Sequence, residues 1–311
     1  MSYEVVSNLE RLKAKLDFVQ EAGFDTVEIP IQGMNVITNG EIETKRLHAY
    51  AKLFSDTSLH FTMHAPFDLN LFRQGDAAFE SKLFMTSLEV TGALGSEVLV
   101  YHVGRFISEE QFIYPHSWRS LTIAEKQQLM QQEVDLMRIA GDRAKQLNVR
   151  IGMENMRPYL DCPHYCYSVV PKELARQVAA VNHSHVGITL DIGHLYLSTQ
   201  MYGLHLQEEL EAMMPYILHI HMHDNFGKPC FSTEKNQYEL TPHGRGDMHM
   251  PIGKGGIPIA EIAKLMENTA INGYLIHEVR EQYESHWADL AQKHNLLFLK
   301  SDAQDKQYYA G

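Results

Sequence analysis

Residues 186–194 read VGITLDIGH, and this stretch decides the fold. Its first part is almost unbroken apolar sequence with β-branching. That composition suits a strand covered on both faces, as in a parallel sheet, rather than a half-solvated strand with strict alternation. The run then stops on Asp191, with His194 three residues further on. Working outward, the same pattern recurs at Thr26–Ile31, Leu59–His64, Glu97–His102, Val149–Glu154, Ile217–His221 and Tyr274–Glu278. Amphipathic stretches lie between these runs, at Leu9–Ala22, Ile42–Phe54, Ala77–Leu94, Ala124–Leu147, Lys172–Val181 and Ile259–Glu267. Strands alternating with helices predict βαβ units and an α/β fold.

A (β/α)8 TIM barrel takes ~250 residues, so a chain of 311 accommodates one such domain, placed here at 1–300. The eighth strand is predicted at Tyr3–Val6, which makes the first strand short or incomplete. The tail Ser301–Gly311 is polar and expected to fray. Long connections at Gly104–Leu121 and Asn225–Gly256 have the length of lids or binding loops.

Composition narrows the function. Cys162, Cys166 and Cys230 are too few and too irregular for a secreted disulfide framework. The N-terminus has no apolar leader segment and no run reaches the ~18 residues of a membrane span. The expectation is a soluble cytoplasmic protein with no membrane partner. A net charge of −12 disfavours broad binding to a phosphate backbone and so argues against a nucleic-acid partner.

The chemistry sits where the strands end. The runs close on MHAP (His64), YHVG (His102), MEN (Glu154), TLDIGH (Asp191, His194), HIHMHD (His221, His223, Asp224) and HEVR (Glu278). Catalytic groups of a parallel barrel project from that C-terminal rim. One such residue alone reads as structural. Several acids and imidazoles from different strands, converging on one apolar mouth, need a compensating charge, because burying each unpaired would cost several kcal/mol. Imidazole nitrogen and carboxylate oxygen together suit a divalent cation: zinc best where histidine dominates, manganese or magnesium where carboxylate does. CPHYC, residues 162–166, lacks the second pair of a zinc knuckle. The GKGG of residues 253–256 has the look of a backbone anion cradle, and equally of a turn into the helix after Pro258.

In these motifs, from His64 to Glu278 with a weaker start at AGFDTVEIP, the chain resembles the xylose-isomerase-like barrel superfamily. That group holds sugar isomerases and epimerases and also the endonuclease IV class of apurinic-site nucleases. For the sugar enzymes, the resemblance implies one metal on Glu154, Asp191, His221 and Glu278. For the nucleases it implies three zinc ions, using His64, His102, His194, Asp247 and His249 in addition. The last two fall in GRGDMHMPIGKGGIP. Between one and three ions are therefore expected. The loop after Ile31, QGMNVITNGE, departs from the DNA-contacting loops of the nucleases, and HAPFDLNL follows the isomerase style. The favoured reading is a metal-dependent sugar or sugar-phosphate isomerase/epimerase working through an enediolate, with a small carbohydrate as substrate. Glu154 and Glu278 would exchange the proton, His194 would orient the substrate, and Arg157, Lys254 or Arg280 would hold a phosphate. The alternatives are an endonuclease IV-like phosphoesterase and a barrel that binds metal or sugar without turnover. Of the paired histidines on one strand, His221 is the expected ligand and His223 its neighbour. Barrels of this kind often pair, so a homo-oligomer is allowed.

Overall fold

The computed structural model describes residues 3–298 apart from 235, 268, 270 and 272, so the tail Ser301–Gly311 lies outside the described residues. Parallel strands form one sheet in strict chain order: β1 (Thr26–Pro30), β2 (His60–His64), β3 (Val98–His102), β4 (Arg150–Glu154), β5 (Val186–Asp191), β6 (Ile217–Met222) and β7 (Leu275–His277). Helices return the chain between them, and the sheet curls into a nearly closed barrel, the TIM architecture. A two-stranded hairpin, Ile37–Thr38 with Glu41–Ile42, follows β1.

The seven-stranded sheet contains every apolar run identified in the sequence. The eighth strand is different. Tyr3–Val6 is a short helix that leads directly into the helix Leu9–Glu21. Its two valines favour extended backbone, but local and tertiary contacts override them. Asn8 caps the next helix, accepting from the amides of Glu10 and Arg11. The Tyr50 hydroxyl donates to the Val6 carbonyl at 2.6 Å, and Val6 is fully buried. β1 and β7 thus remain the two ends of the strand order. Side chains border the seam between them: Phe24 faces His277, with ring centroids 5.9 Å apart, and packs edge-on to Trp287 of the helix Trp287–Phe298.

Strand register carries the functional side chains inward together. Partners across parallel strands point to the same side of a sheet, as do residues two apart on one strand. His102 pairs with Glu154, and Asp191 pairs with His221. His64 pairs with Val100, two residues before His102; Glu154 pairs with Thr189, two before Asp191; His221 pairs with Ile276, two before Glu278. By the same parity Glu28, which pairs with Thr62, points inward one layer below the rim.

The helix Ile123–Leu147 starts on a capping box of Thr122 and Glu125 and inserts Glu133 beneath the rim loops. That carboxylate accepts from Tyr101 Oη (3.1 Å), Tyr167 Oη (2.6 Å), the Gly104 amide (2.8 Å) and Gln177 Nε2 (3.0 Å). It ties the loops that follow β3 and β4 to the barrel. Replacing it by alanine strands these donors in a dry interior. Glu133→Ala is therefore expected to lower unfolding free energy by about 2–4 kcal/mol, read as a drop in the urea midpoint at unchanged m-value.

Candidate metal centre and substrate cavity

Each rim side chain is placed by a local device. Asp191 ends β5 and caps the helix Ile192–Tyr202, its Oδ1 accepting from the His194 amide at 2.6 Å. One helical turn separates the two residues, so both project toward the mouth. Gly193 lies between them. A Cβ there would come within 1.9 Å of the His223 ring, so only glycine lets His223 lie over the start of this helix. Asn155, just after Glu154, pairs reciprocally with the backbone of Asp191: Nδ2 donates to its carbonyl (2.9 Å) and Oδ1 accepts from its amide (2.8 Å).

The imidazoles follow one rule. A carbonyl has no proton to give, so a ring nitrogen bonded to it must carry the hydrogen, which leaves the other nitrogen free for the mouth. His64 donates from Nδ1 to the Ala65 carbonyl (2.7 Å), His194 to that of Asn155 (2.8 Å), His249 to that of Glu278 (2.9 Å), and His102 to that of Phe67 (3.3 Å). In every case Nε2 faces a carboxylate of the rim. His221 is inverted: its Nε2 faces Glu28, and its Nδ1 faces the mouth.

Glu154 stands at the centre and is nearly free of solvent. Its Oε2 lies 3.3 Å from His64 Nε2 and 3.2 Å from His102 Nε2, while Oε1 lies 3.3 Å from His221 Nδ1. His221 Nδ1 is also 3.4 Å from Glu278 Oε1. Ligand atoms of Glu154, Asp191 and His221 all fall within 4.8 Å of one another, as do those of His64, His102 and Glu154. On the far side, Asp247 Oδ2 lies 3.1 Å from His194 Nε2 and 2.8 Å from His249 Nε2. His249 adopts left-handed backbone (φ 46°), an uncommon state for a residue with a side chain.

Charge balance follows from these contacts. Burial works against the ionised form of Glu154, but His221 and His102 outweigh it and hold the carboxyl well below its usual range. Burial likewise opposes a proton on His194, yet Asp191 and Asp247 lift it to about 10. His221 is raised well above the ordinary imidazole value, because Glu278, Glu28 and Glu154 overcome desolvation. The cluster holds protons exactly where a cation would otherwise balance the carboxylates. Asp247 Oδ1 and His223 Nδ1 are buried without a hydrogen-bond partner among the described residues. Asp247 Oδ1 has only the His223 Nε2 beside it, at 3.4 Å; mixed nitrogen and oxygen donors and ionised carboxylates fit a divalent cation.

A cavity of about 690 Å³ runs from the cluster along the seam between β1 and β7 to the helix Trp287–Phe298. His64, His102, Glu154, His194, Asp247, His249 and Glu278 line it, whereas Asp191 and His221 lie beneath at zero exposure. Arg157 reaches it and bonds Asp247 Oδ2 at 2.8 Å. Arg280 also lines the cavity; its guanidinium donates to the carbonyls of Met248 and Asp247 (3.3 and 3.2 Å). Lys254 is exposed and is not among the lining residues. The GKGG amides explain why: those of Gly253 (2.8 Å) and Gly255 (2.9 Å) donate to Asp224, so the cradle is filled by the chain's own carboxylate. Cys162 and Cys166 are buried and form no disulfide. The sequence reading missed Glu28, Asn155 and His219. Glu28 lies inside a strand with no terminal motif to mark it, and His219 opens HIHMHD below the residues singled out there; the barrel's inward parity is the signal that could have found both.

Comparison with known proteins agrees with this picture. A family model described as xylose isomerase-like TIM barrel matches residues 16–301. An uncharacterized protein of Methanocaldococcus jannaschii is 23% identical over 269 residues, covering 86% of this chain and 78% of its own length. Among solved structures, a D-tagatose 3-epimerase-like protein superposes with TM-score 0.67 at 20% identity, over 95% of this chain and 97% of its own. The IOLI protein with a binding zinc atom gives TM-score 0.64 at 17% identity, over 93% of each chain. At these identities the structural likeness speaks for the fold.

A cation entering this cluster must displace protons from His221 and His194. Uptake of zinc at neutral pH is expected to release protons, visible as a calorimetric enthalpy that changes with the ionisation heat of the buffer. The sign follows from the raised imidazole values: affinity climbs with pH, by roughly tenfold per unit for each proton displaced, up to about pH 10 for His194.

Proposed function

We propose, from the premise that this chain belongs to the xylose isomerase-like TIM barrel family, that it is a divalent-metal-dependent isomerase or epimerase of small keto-sugars. The observation that carries the reading is the pair Glu154 and Glu278. They approach the same His221 nitrogen from β4 and from just beyond β7, at 3.3 and 3.4 Å, at the base of a cavity sized for a small molecule. The sugar epimerases among the structural neighbours support the same class.

A bound divalent cation supplies Lewis-acid polarisation of adjacent substrate oxygens, and so acidifies the carbon beside a carbonyl. Glu154, Asp191, His221 and Glu278 would hold it. The protein's own groups then move the proton. Glu154 is locked by imidazoles on both oxygens, whereas a quarter of the Glu278 side chain is exposed, so Glu278 has the freedom to swing toward a substrate carbon. It is the better base, with Glu154 opposite as its partner in returning the proton. His194 and His249, fixed through their Nδ1 atoms, present Nε2 toward Asp247 at the cavity wall, where they orient hydroxyl groups. Arg157 and Arg280 stand at the same wall and give it the positive charge that a phosphorylated sugar would meet.

A phosphoesterase reading has one observation in its favour: the extra clusters, His64 with His102 and Asp247 with His194 and His249, are both assembled. Arg157 opposes it, because its guanidinium engages the Asp247 oxygen nearest those histidines.

Glu278→Gln is expected to weaken metal binding, since Glu278 is also a ligand, and, assayed at saturating metal, to cut kcat/KM on an active ketose by about 10²–10⁴-fold; an unimpaired rate would remove Glu278 from the reaction. A panel of ketoses and ketose phosphates, set beside an abasic duplex, tests the class. Turnover of the duplex alone would overturn the proposal. Among active sugars, Arg280→Gln is expected to raise KM for the phosphorylated member by roughly tenfold and to leave kcat unchanged.

A further inference from the structure

One layer below the rim lies a polar group in the barrel floor that no strand-end motif announces. Glu28 of β1 is inward-facing, and its side chain is only 7% exposed. Its carboxylate meets His219 Nε2 at 3.2 Å, His221 Nε2 at 3.1 Å and the Thr62 hydroxyl at 3.1 Å. His219 and His221 are both fully buried. All three neighbours can donate, and a carboxylate can only accept.

The direction of these bonds is fixed from outside the group. The Tyr274 amide donates to His219 Nδ1 at 3.2 Å, so that nitrogen is bare and Nε2 carries the hydrogen that goes to Glu28. His221 meets carboxylates through both nitrogens, Glu28 on Nε2 and Glu154 and Glu278 on Nδ1, so a cation on Nδ1 would confine its hydrogen to Nε2 and hence to Glu28. A cation seated among Glu28, His219 and His221 is the competing interpretation of the same distances. It would require His219 to lose the hydrogen that the Tyr274 contact places on Nε2. It would also require His221 to give up both ring protons if it served the rim as well. Hydrogen bonding requires neither.

His221 is thus the exception among the rim imidazoles. His64, His102, His194 and His249 hang from backbone carbonyls; His221 hangs from a buried carboxylate, which makes a ring nitrogen a stronger donor toward a metal and fixes its orientation. We infer that Glu28 is the positioning residue of the metal centre, holding His221 with Nδ1 open to the cation, and that His219 and Thr62 hold Glu28 in turn. This rests on the metal-dependent reading above. Glu28 lines the same cavity as the rim residues, one layer below them, so the test reads metal binding and the His221 ring itself rather than turnover.

Glu28→Gln keeps the shape but replaces an acceptor oxygen by an NH2 group. That group must face at least one of the ring N–H donors. His221 relieves the conflict by moving its hydrogen to Nδ1, the position a cation needs. Zinc affinity, measured by competition with a chromophoric chelator, is expected to fall by about 10–100-fold. Wild-type protein provides a second test independent of whether the variant folds. With ¹⁵N-histidine labelling and zinc bound, His221, assigned by its loss in His221→Gln, is expected to show Nε2 protonated and Nδ1 ligating. Glu28→Gln binding zinc as tightly as wild type, or a His221 that ligates through Nε2, would overturn the inference and leave the metal reading standing. Wild-type protein that binds no zinc, manganese or magnesium would overturn both.

Discussion

A dry, ionised carboxylate is the constraint from which the rest of the molecule follows. Glu154 has almost no contact with water, and an unpaired carboxylate in such a place costs several kcal/mol. It persists because imidazoles face both oxygens, His64 and His102 on one and His221 on the other. Those imidazoles in turn are held by their far nitrogens. The rim is therefore a network with outward-pointing anchors and inward-pointing lone pairs. Such a network is worth having only if something positively charged belongs at its centre, because half-satisfied polar clusters are costlier than apolar packing. The same carboxylates raise the imidazoles of His194 and His221 above their ordinary value.

Sequence patterning revealed the sheet because strands covered on both faces leave a continuous apolar trace, and it revealed the rim because six of the seven traces ended on a ligand-type residue. Val186–Asp191 shows both at once. The reading broke at Tyr3–Val6. Valines there promised a strand, but Asn8 opens a helix immediately afterwards, and the Tyr50 hydroxyl fixes the Val6 carbonyl in a helical turn. Contacts from forty residues away leave no local signature. Lys254 shows a related limit: a glycine-rich loop was legible as a nest of amides, but that the nest would close on Asp224 depends on where the end of β6 delivers that carboxylate.

Glu28 and His219 were illegible for a more interesting reason. Alternation along one strand shows which residues share a face, but the level at which that face meets its neighbours is a property of register. Thr62 opposite Glu28, and His219 opposite Thr189, set the floor layer. From sequence alone, Glu28 in TVEIP is an acid in an otherwise apolar strand, which reads as an edge or solvent-facing charge. Only the curled sheet brings β1 and β6 together across the barrel interior, and places an acid from one beneath the imidazoles of the other.

The same ligand set can serve proton transfer in a sugar or hydrolysis of a phosphodiester, since both need cations held by carboxylate and imidazole. What separates the reactions is the wall of the cavity. A nuclease must present a broad positive face to a duplex, and this chain carries a net charge of −12. Its cationic groups at the mouth are Arg157 and Arg280, both turned onto the Asp247 segment, where they can meet one small anion but not a polymer. Phe67 covers the opposite side, edge-on to His64 with centroids 4.6 Å apart and stacked against His102. An aromatic face on one wall and a guanidinium pair on the other suit a short polyol with an apolar C–H flank and a charged end. The chemistry of the centre is general; the walls are what favours the small-molecule reading proposed for it.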